Sequence, residues 1–273
     1  MPGKLYLVAT PIGNLEDITL RAIRILKEVD YIAAEDTRQS LKLLNHLEIS
    51  KPLISYHRHN EEIKTNILID KLMENKNIAL ITDAGTPIIS DPGDVIVREC
   101  IKNQIPVIPI PGACALITAL IASGIDAKEF LFIGFLPLNK KNRIEKLNEI
   151  KKSKNTIILY EAPHKLKNTI NELSQCIGER DIVLAKELTK IHEDYIRGTA
   201  KELLKLLENP KGEYVIIIEG NKEENDDFKN LSAEELYNIY KEQGLEKKEI
   251  IKKISKELNK NKNEIYMKFI KRP

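Results

Sequence analysis

The chain is poor in the features that mark several common protein classes. Its 273 residues include only three cysteines, Cys100, Cys114 and Cys176, and none stands in a CxxC spacing. A disulfide scaffold and a structural zinc site are therefore not expected, and a reducing cytoplasm suits such a chain. No apolar run approaches the roughly 18 residues needed to span a membrane. The opening MPGKLYLVAT enters a strand-like run at once, without the pattern of a signal peptide. Charge of one sign is also lacking, since 43 basic residues nearly balance 41 acidic ones. Any nucleic-acid surface must then be local. There is no GxGxxG fingerprint, Walker A loop, GxSxG elbow or HExxH helix, which leaves dinucleotide-binding, NTPase and hydrolase readings without support.

What is present is a globular α/β pattern. Apolar runs at 4–10, 31–35, 52–56, 78–84 and 106–112 read as buried strands. The stretches between them have helical period, the first with Leu20, Ile23 and Leu26 on one face behind the cap candidates Asp17 and Thr19. Continuous apolar strands alternating with helices predict a parallel sheet covered on both faces, with ligands beyond the carboxyl ends of its strands. A second block has strand-like runs at 130–135, 156–162, 181–189, 192–199 and 213–219. The last-but-one pair suggests a hairpin, hence a mixed sheet. We expect an N-terminal α/β domain over 1–113, a second over 114–221, an acidic linker over 222–229 and a helical, helix-turn-helix-like appendage over 230–273. In the appendage Ser232 and Glu235 form a capping box, Ile250, Ile254 and Leu258 a stripe, and Asn261 with Glu264 a further helix start.

Three loops at predicted strand ends combine Gly, Pro and small polar residues: Ala9–Asn14, Asp83–Pro87 followed by Ser90–Gly93, and Ile110–Cys114. Such residues let bare backbone approach a ligand and hold it rigidly. A single loop of this kind would read as an ordinary turn; three at the end of one sheet suggest a binding cleft. Polar clusters accompany them at Glu35–Arg38, His57–Glu61, Tyr160–Lys165 and Lys186–Lys190. His57 and His59 lack a third metal ligand at a convincing spacing, so no metal is expected. Cys114 reads as a small pocket-lining residue rather than a nucleophile, because no histidine stands beside it.

The ordered set TPIGNLEDIT, AAEDTR, HNE, TDAGTPIISDPG, IPGACALITAL, GFLP, YEAPH, KELTK and KGEYVIIIEG resembles the ribosomal RNA small subunit methyltransferase I family. These are ribose 2′-O-methyltransferases of the tetrapyrrole methylase superfamily. The likeness runs in unbroken order over about residues 4–220, and the helical tail also fits. It implies two α/β domains with S-adenosylmethionine in the cleft between them, usually a homodimer, and a decoding-region cytidine of 16S rRNA, free or in the 30S subunit, as substrate. It also implies a cofactor held largely by backbone groups. By position these are Ile12, then Ala84, Gly85, Thr86 and Ile89, then Cys114 and Ala115, with Tyr160, Glu161, Leu188 and Tyr214 from the second domain. The first loop, TPIGN, departs from the GxGxGD of porphyrin-modifying relatives and argues against a tetrapyrrole substrate. Lys165 stands where many relatives carry Arg.

Transfer from a sulfonium is an in-line displacement that depends on alignment. A ribose hydroxyl gains from a base or from a cation beside the developing alkoxide. Glu35, Asp36, Asp83, His59, Glu161 and Glu187 are candidate bases; Arg38, Lys165, Lys186 and Lys190 are candidate cations. The plainer reading of each is a salt bridge or a loop-ordering hydrogen bond. For RNA, residues 138–155 carry seven basic side chains against two acidic ones, and 230–273 carry eleven against seven. Lys140, Lys141 and Arg143 follow GFLP at the expected cleft edge and are the preferred phosphate contacts. A corrin or porphyrin methylase and a non-enzymatic ribosome-assembly protein are the alternatives; the first needs no appendage and the second no cofactor.

Overall fold

The computed structural model describes residues 1–222, 231–242, 245–258 and 260–270. The first sheet is built from β1 (Leu5–Val8), β2 (Tyr31–Ala34), β3 (Leu53–Ser55), β4 (Ile78–Ile81) and β5 (Val107–Ile110). It is wholly parallel, in the order β3-β2-β4-β1-β5. Both of its faces are covered, which is why its strands read as unbroken apolar runs. Helices α1 (Leu20–Glu28) and α2 (Thr37–His46) pack on one face through Ala22, Ile25, Leu26 and Leu44. On the other lie α3 (Glu61–Met73) and α4 (Asp94–Lys102), through Leu68, Leu72, Ile96 and Cys100. The chain thus leaves β1 and β2 towards one face and β4 towards the other. That divergence opens a crevice beyond the ends of β1, β2 and β4, where α/β sheets hold their ligands.

Helix α5 (Ala115–Ser123) begins the second half. The second sheet comprises β6 (Phe130–Gly134), β7 (Thr156–Glu161), β8 (Asp181–Lys186), β9 (Asp194–Thr199) and β10 (Tyr214–Ile218), in the order β6-β7-β10-β8-β9. Only β6 and β7 run parallel; β8 and β9 form the expected antiparallel hairpin. One face is covered by α6 (Lys140–Lys152), α7 (Pro163–Cys176) and α8 (Ala200–Leu206), and the other by α5. Strand β8 ends sooner than its apolar run suggests, because Glu187 and Thr189 take positive φ values of 49° and 66°. Extended backbone cannot continue through that region. Thr19 caps α1, accepting the Ala22 N–H at 3.1 Å, whereas Asp17 lies in a 3-10 turn capped by Asn14.

Residues 1–221 form one compact unit that contains both sheets, and 222–273 form another. The second holds α9 (Ala233–Glu242), α10 (Lys247–Glu257) and α11 (Lys262–Ile270) around its own core of Leu236, Tyr240, Ile250, Ile254 and Ile265. Ser232 and Glu235 make the expected reciprocal cap. The acidic linker expected at 222–229 lies, beyond Lys222, outside the described residues.

Candidate active site

The carboxyl ends of β1 and β4 are tied by a two-way backbone bridge. Thr10 N–H donates to the Gly85 carbonyl at 2.9 Å and Gly85 N–H to the Thr10 carbonyl at 3.0 Å. Gly85 sits at φ +83°, and a Cβ there would stand 3.2 Å from a methyl of Ile12, so glycine is needed both for conformation and for close approach. The Thr86 hydroxyl donates to the Ala113 carbonyl at 3.0 Å, tying the second loop to the third. From the second half, Tyr160 reaches across: its hydroxyl accepts the Leu116 N–H in the first turn of α5 at 3.2 Å. Phe132 and Phe135 meet its ring edge-on at 5.0 and 5.8 Å. Burial pushes this phenol up to about 12, so it stays protonated at neutral pH.

Together these elements enclose a cavity of about 470 Å³. Its walls carry Ile12, Ala84, Gly85, Thr86 and Ile89 from the first sheet's loops, and Cys114 and Ala115 from the start of α5. Tyr160, Glu161, Leu188 and Tyr214 come from the second half. All eleven residues singled out by position thus meet around one space. Ser90, Asp91, Phe135 and Glu213 also line it; the first two belong to the second loop, but none of the four was among the cofactor residues picked by position.

Of the ten candidate bases and cations, Glu161 alone lines this cavity. Glu35, Asp36, Arg38, Asp83, Lys165 and Glu187 are absent from the cavity wall. Asp36 caps α2 and pairs with Arg38 at 2.7 Å; that guanidinium holds its carboxyl down to about 2. Glu187 accepts from Lys190 Nζ at 2.9 Å and from the Glu213 N–H at 3.0 Å, and Lys190 also pairs with Glu213 at 2.9 Å. This knot fixes the bend after β8, so Glu187 and Lys190 are bracing groups. Lys165 is half-buried in the first turn of α7. Asp83 and Ala84 show how local the divide is: both lie in the bend after β4, yet the alanine lines this cavity and the aspartate a second one.

Asp91 is the carboxylate that sequence reasoning passed over. It lines the cavity, and burial first, with Asp83 adding repulsion, raises its pKa against the opposing pull of Arg58. Glu35 is raised likewise, by burial and then by Asp91 and Asp83. No hydrogen bond from a described residue engages Asp91. Its only sequence signal was the SDPG turn in which it sits. Glu161, by contrast, is spoken for: one oxygen accepts the Ala162 N–H at 2.9 Å and the other the Thr169 hydroxyl at 2.6 Å.

Arg143 requires a correction. Expected beside Lys140 and Lys141 as a phosphate contact, its side chain is only 16% exposed. Its guanidinium donates to Glu172 and to Thr169, each at 2.8 Å, so the charge is spent inside the protein. Lys140 and Lys141 are exposed. His57 and His59 lie with ring centroids 6.0 Å apart, and His57 Nε2 is engaged with the Asn60 amide. Among the described residues no group of three His, Cys, Asp or Glu side chains is arranged to hold a metal ion, and no helix is long and apolar enough to cross a membrane.

Comparison with known proteins follows the same outline. The family profile described as Tetrapyrrole (Corrin/Porphyrin) Methylases matches residues 4–204. A ribosomal RNA small subunit methyltransferase I of Halalkalibacterium halodurans is 49% identical over 270 residues, 97% of this chain and 93% of that protein. Its Bacillus subtilis counterpart is 48% identical, with 97% and 93% covered. The crystal structure of a uroporphyrin-III C-methyltransferase from Thermus thermophilus, complexed with S-adenyl homocysteine, superimposes with a TM-score of 0.57. It covers 80% of this chain and 97% of that one at 18% identity, a likeness of fold. With the two sheets, the loop set and near-half identity along almost the whole length in agreement, the chain belongs to the tetrapyrrole methylase family, among its ribosomal RNA small subunit methyltransferase I members.

Proposed function

We propose that this protein transfers the methyl group of S-adenosylmethionine to the ribose 2′-hydroxyl of a decoding-region cytidine in 16S rRNA, acting in the cytoplasm as a homodimer. The observation that carries the cofactor assignment is the cavity of about 470 Å³, walled by backbone-rich loops and by Tyr160 and Tyr214. That volume lies within the range of small-ligand sites. The strand-end glycine with a close neighbour at Ile12 fits a ligand gripped by main chain, and the names of the relatives support rRNA as the substrate.

When bound, the cofactor supplies a methyl already activated on sulfur. The protein's task is then to orient the acceptor and to take its proton. Loops 84–89 and 113–115 would hold the cofactor with main-chain groups, while Tyr160 and its ring partners would exclude water from one side. Asp91 would accept the ribose proton: it faces the cavity, takes no hydrogen bond from a described residue, and its raised pKa brings it closer to the working pH.

The test is transfer of labelled methyl to 30S subunits from a strain lacking the activity, with nuclease digestion and mass spectrometry of the product. A label on ribose is expected; a label on a base would overturn the 2′-O assignment. In the pH profile of kcat/KM, activity should be lost as pH falls through the Asp91 pKa, on a limb raised from the ordinary aspartate value by burial. Asp91→Asn should cut kcat at least about 100-fold, within the usual worth of a general base, while calorimetric cofactor affinity stays within twofold.

A further inference from the structure

The second cavity, about 310 Å³, lies on the other side of the Thr10–Gly85 bridge and is lined by Thr10, Pro11, Leu15, Gln39, Lys42, Leu43 and Asp83. The two spaces share a partition. Thr10 and Asp83 face the smaller, whereas Ile12 and Ala84, close by in the chain, face the larger. Both draw their walls from the segments that follow β1 and β4.

The lining has a definite chemistry. Pro11, Leu15 and Leu43 are apolar and able to flank a flat ring. Asp83 is oriented by the α2 cap, its Oδ1 accepting the Asp36 N–H at 3.1 Å, and the carboxylate keeps further acceptor capacity. Lys42 Nζ donates to Gln39 Oε1 at 2.9 Å; with that oxygen engaged, the Gln39 amide has its two N–H bonds to offer. The set is thus one acceptor, two kinds of donor and apolar sides. That complements cytosine, whose exocyclic amine donates and whose ring nitrogen and carbonyl accept. Uracil would set its O4 against the Asp83 carboxylate. Single-stranded RNA bases are read in this way, splayed from their stack and bonded on their Watson–Crick edge.

We propose that this cavity is the nucleobase pocket of the enzyme, receiving the cytosine of the target nucleotide, with Asp83 accepting from its amine and Gln39 and Lys42 donating to its other edge. The inference rests on the proposed methylation of a cytidine ribose and adds how the acceptor is chosen. It also gives Asp83 a role in reading the base rather than in moving a proton.

Two variants test it on the full chain, with 30S subunits carrying either the mapped cytidine or a uridine at that position. Leu43→Trp fills the pocket from a half-exposed helix position. It should raise KM for 30S subunits at least tenfold and leave cofactor affinity by calorimetry unchanged. Asp83→Asn keeps the oxygen that accepts from Asp36 but replaces the other with a donor. It should shrink the cytidine-over-uridine preference roughly ten- to hundredfold, the worth of a good base contact. A wild-type KM in Leu43→Trp would overturn the pocket assignment. So would an Asp83→Asn variant that loses activity on both substrates in equal proportion. Wild-type protein that labels no rRNA at all would instead remove the underlying function.

Discussion

At the scale of single residues, the most consequential arrangement is the chain of hydrogen bonds behind the cavity wall. Arg143, in the first turn of α6, donates to Thr169 on α7, and Thr169 donates to Glu161 at the end of β7. Glu161 is 5% exposed and its face forms part of the cavity. A buried carboxylate of this kind needs compensating donors, and the hydroxyl passes the guanidinium's polarity on to it. Arg143→Ala would strand Thr169 and Glu172 and loosen Glu161, at a cost of about 1–3 kcal/mol in stability. Cofactor affinity should fall several-fold with it. Lys140→Ala, three residues away but exposed, should alter neither. The measurements are thermal melts and cofactor calorimetry on the two variants. Normal cofactor binding by Arg143→Ala would mean that Glu161 holds its place without the relay.

At the scale of elements, α6 presents Lys140 and Lys141 exposed in its first turn, where Asn139 caps the free N–H groups. Two cations at the positive end of a helix are unfavourable for the helix itself. A phosphate seated there would relieve them, and this favours RNA as the partner of that end. The double variant Lys140→Ala/Lys141→Ala should weaken rRNA binding about equally across sequences. It should also flatten the salt dependence by roughly 0.7–0.9 log units per lost contact, with cofactor affinity unchanged. Filter binding over a salt series measures this; an unchanged slope would make the pair a solvated helix end. The same helix indicates what a sequence reveals. Its existence, and that of both sheets, was legible because apolar runs and helical period are one-dimensional signals. The end of β8 was not, because the positive φ of Glu187 and Thr189 arises from the Lys190–Glu213 knot. Nor could composition separate Arg143 from Lys140, since both add one charge and only tertiary packing sends the first inward. For the site, loop chemistry marked the three strand-end loops, while the eleven cavity-facing residues were picked by the family resemblance. Asp91 escaped because burial, which sets it apart from Asp94 and Asp83, is not written in its neighbours.

At the scale of the whole molecule, the chain divides after Asn221 into two compact units. Everything proposed here for chemistry, both cavities and the relay behind Glu161, lies in residues 1–221, which carry four hydrophobic clusters of their own. The C-terminal unit has an independent core and a lysine-rich surface. Some of those lysines are used internally: Lys253 sits over the Tyr240 ring at 4.8 Å and Lys268 pairs with Glu234 at 3.2 Å. Lys248 and Lys252 on α10 are exposed and available to phosphates. Removing residues 222–273 should therefore leave the melting temperature of the remaining unit within a few degrees and cofactor affinity within twofold. Affinity for 30S subunits should fall, and the salt slope should fall by roughly 0.7–0.9 for each phosphate contact the tail supplies. If instead the truncated protein binds 30S subunits with the full slope, the tail's charge is only a solvated face. The electrostatic contact with RNA would then rest on α6 alone, and Lys140→Ala/Lys141→Ala in the truncated background should abolish most of what remains.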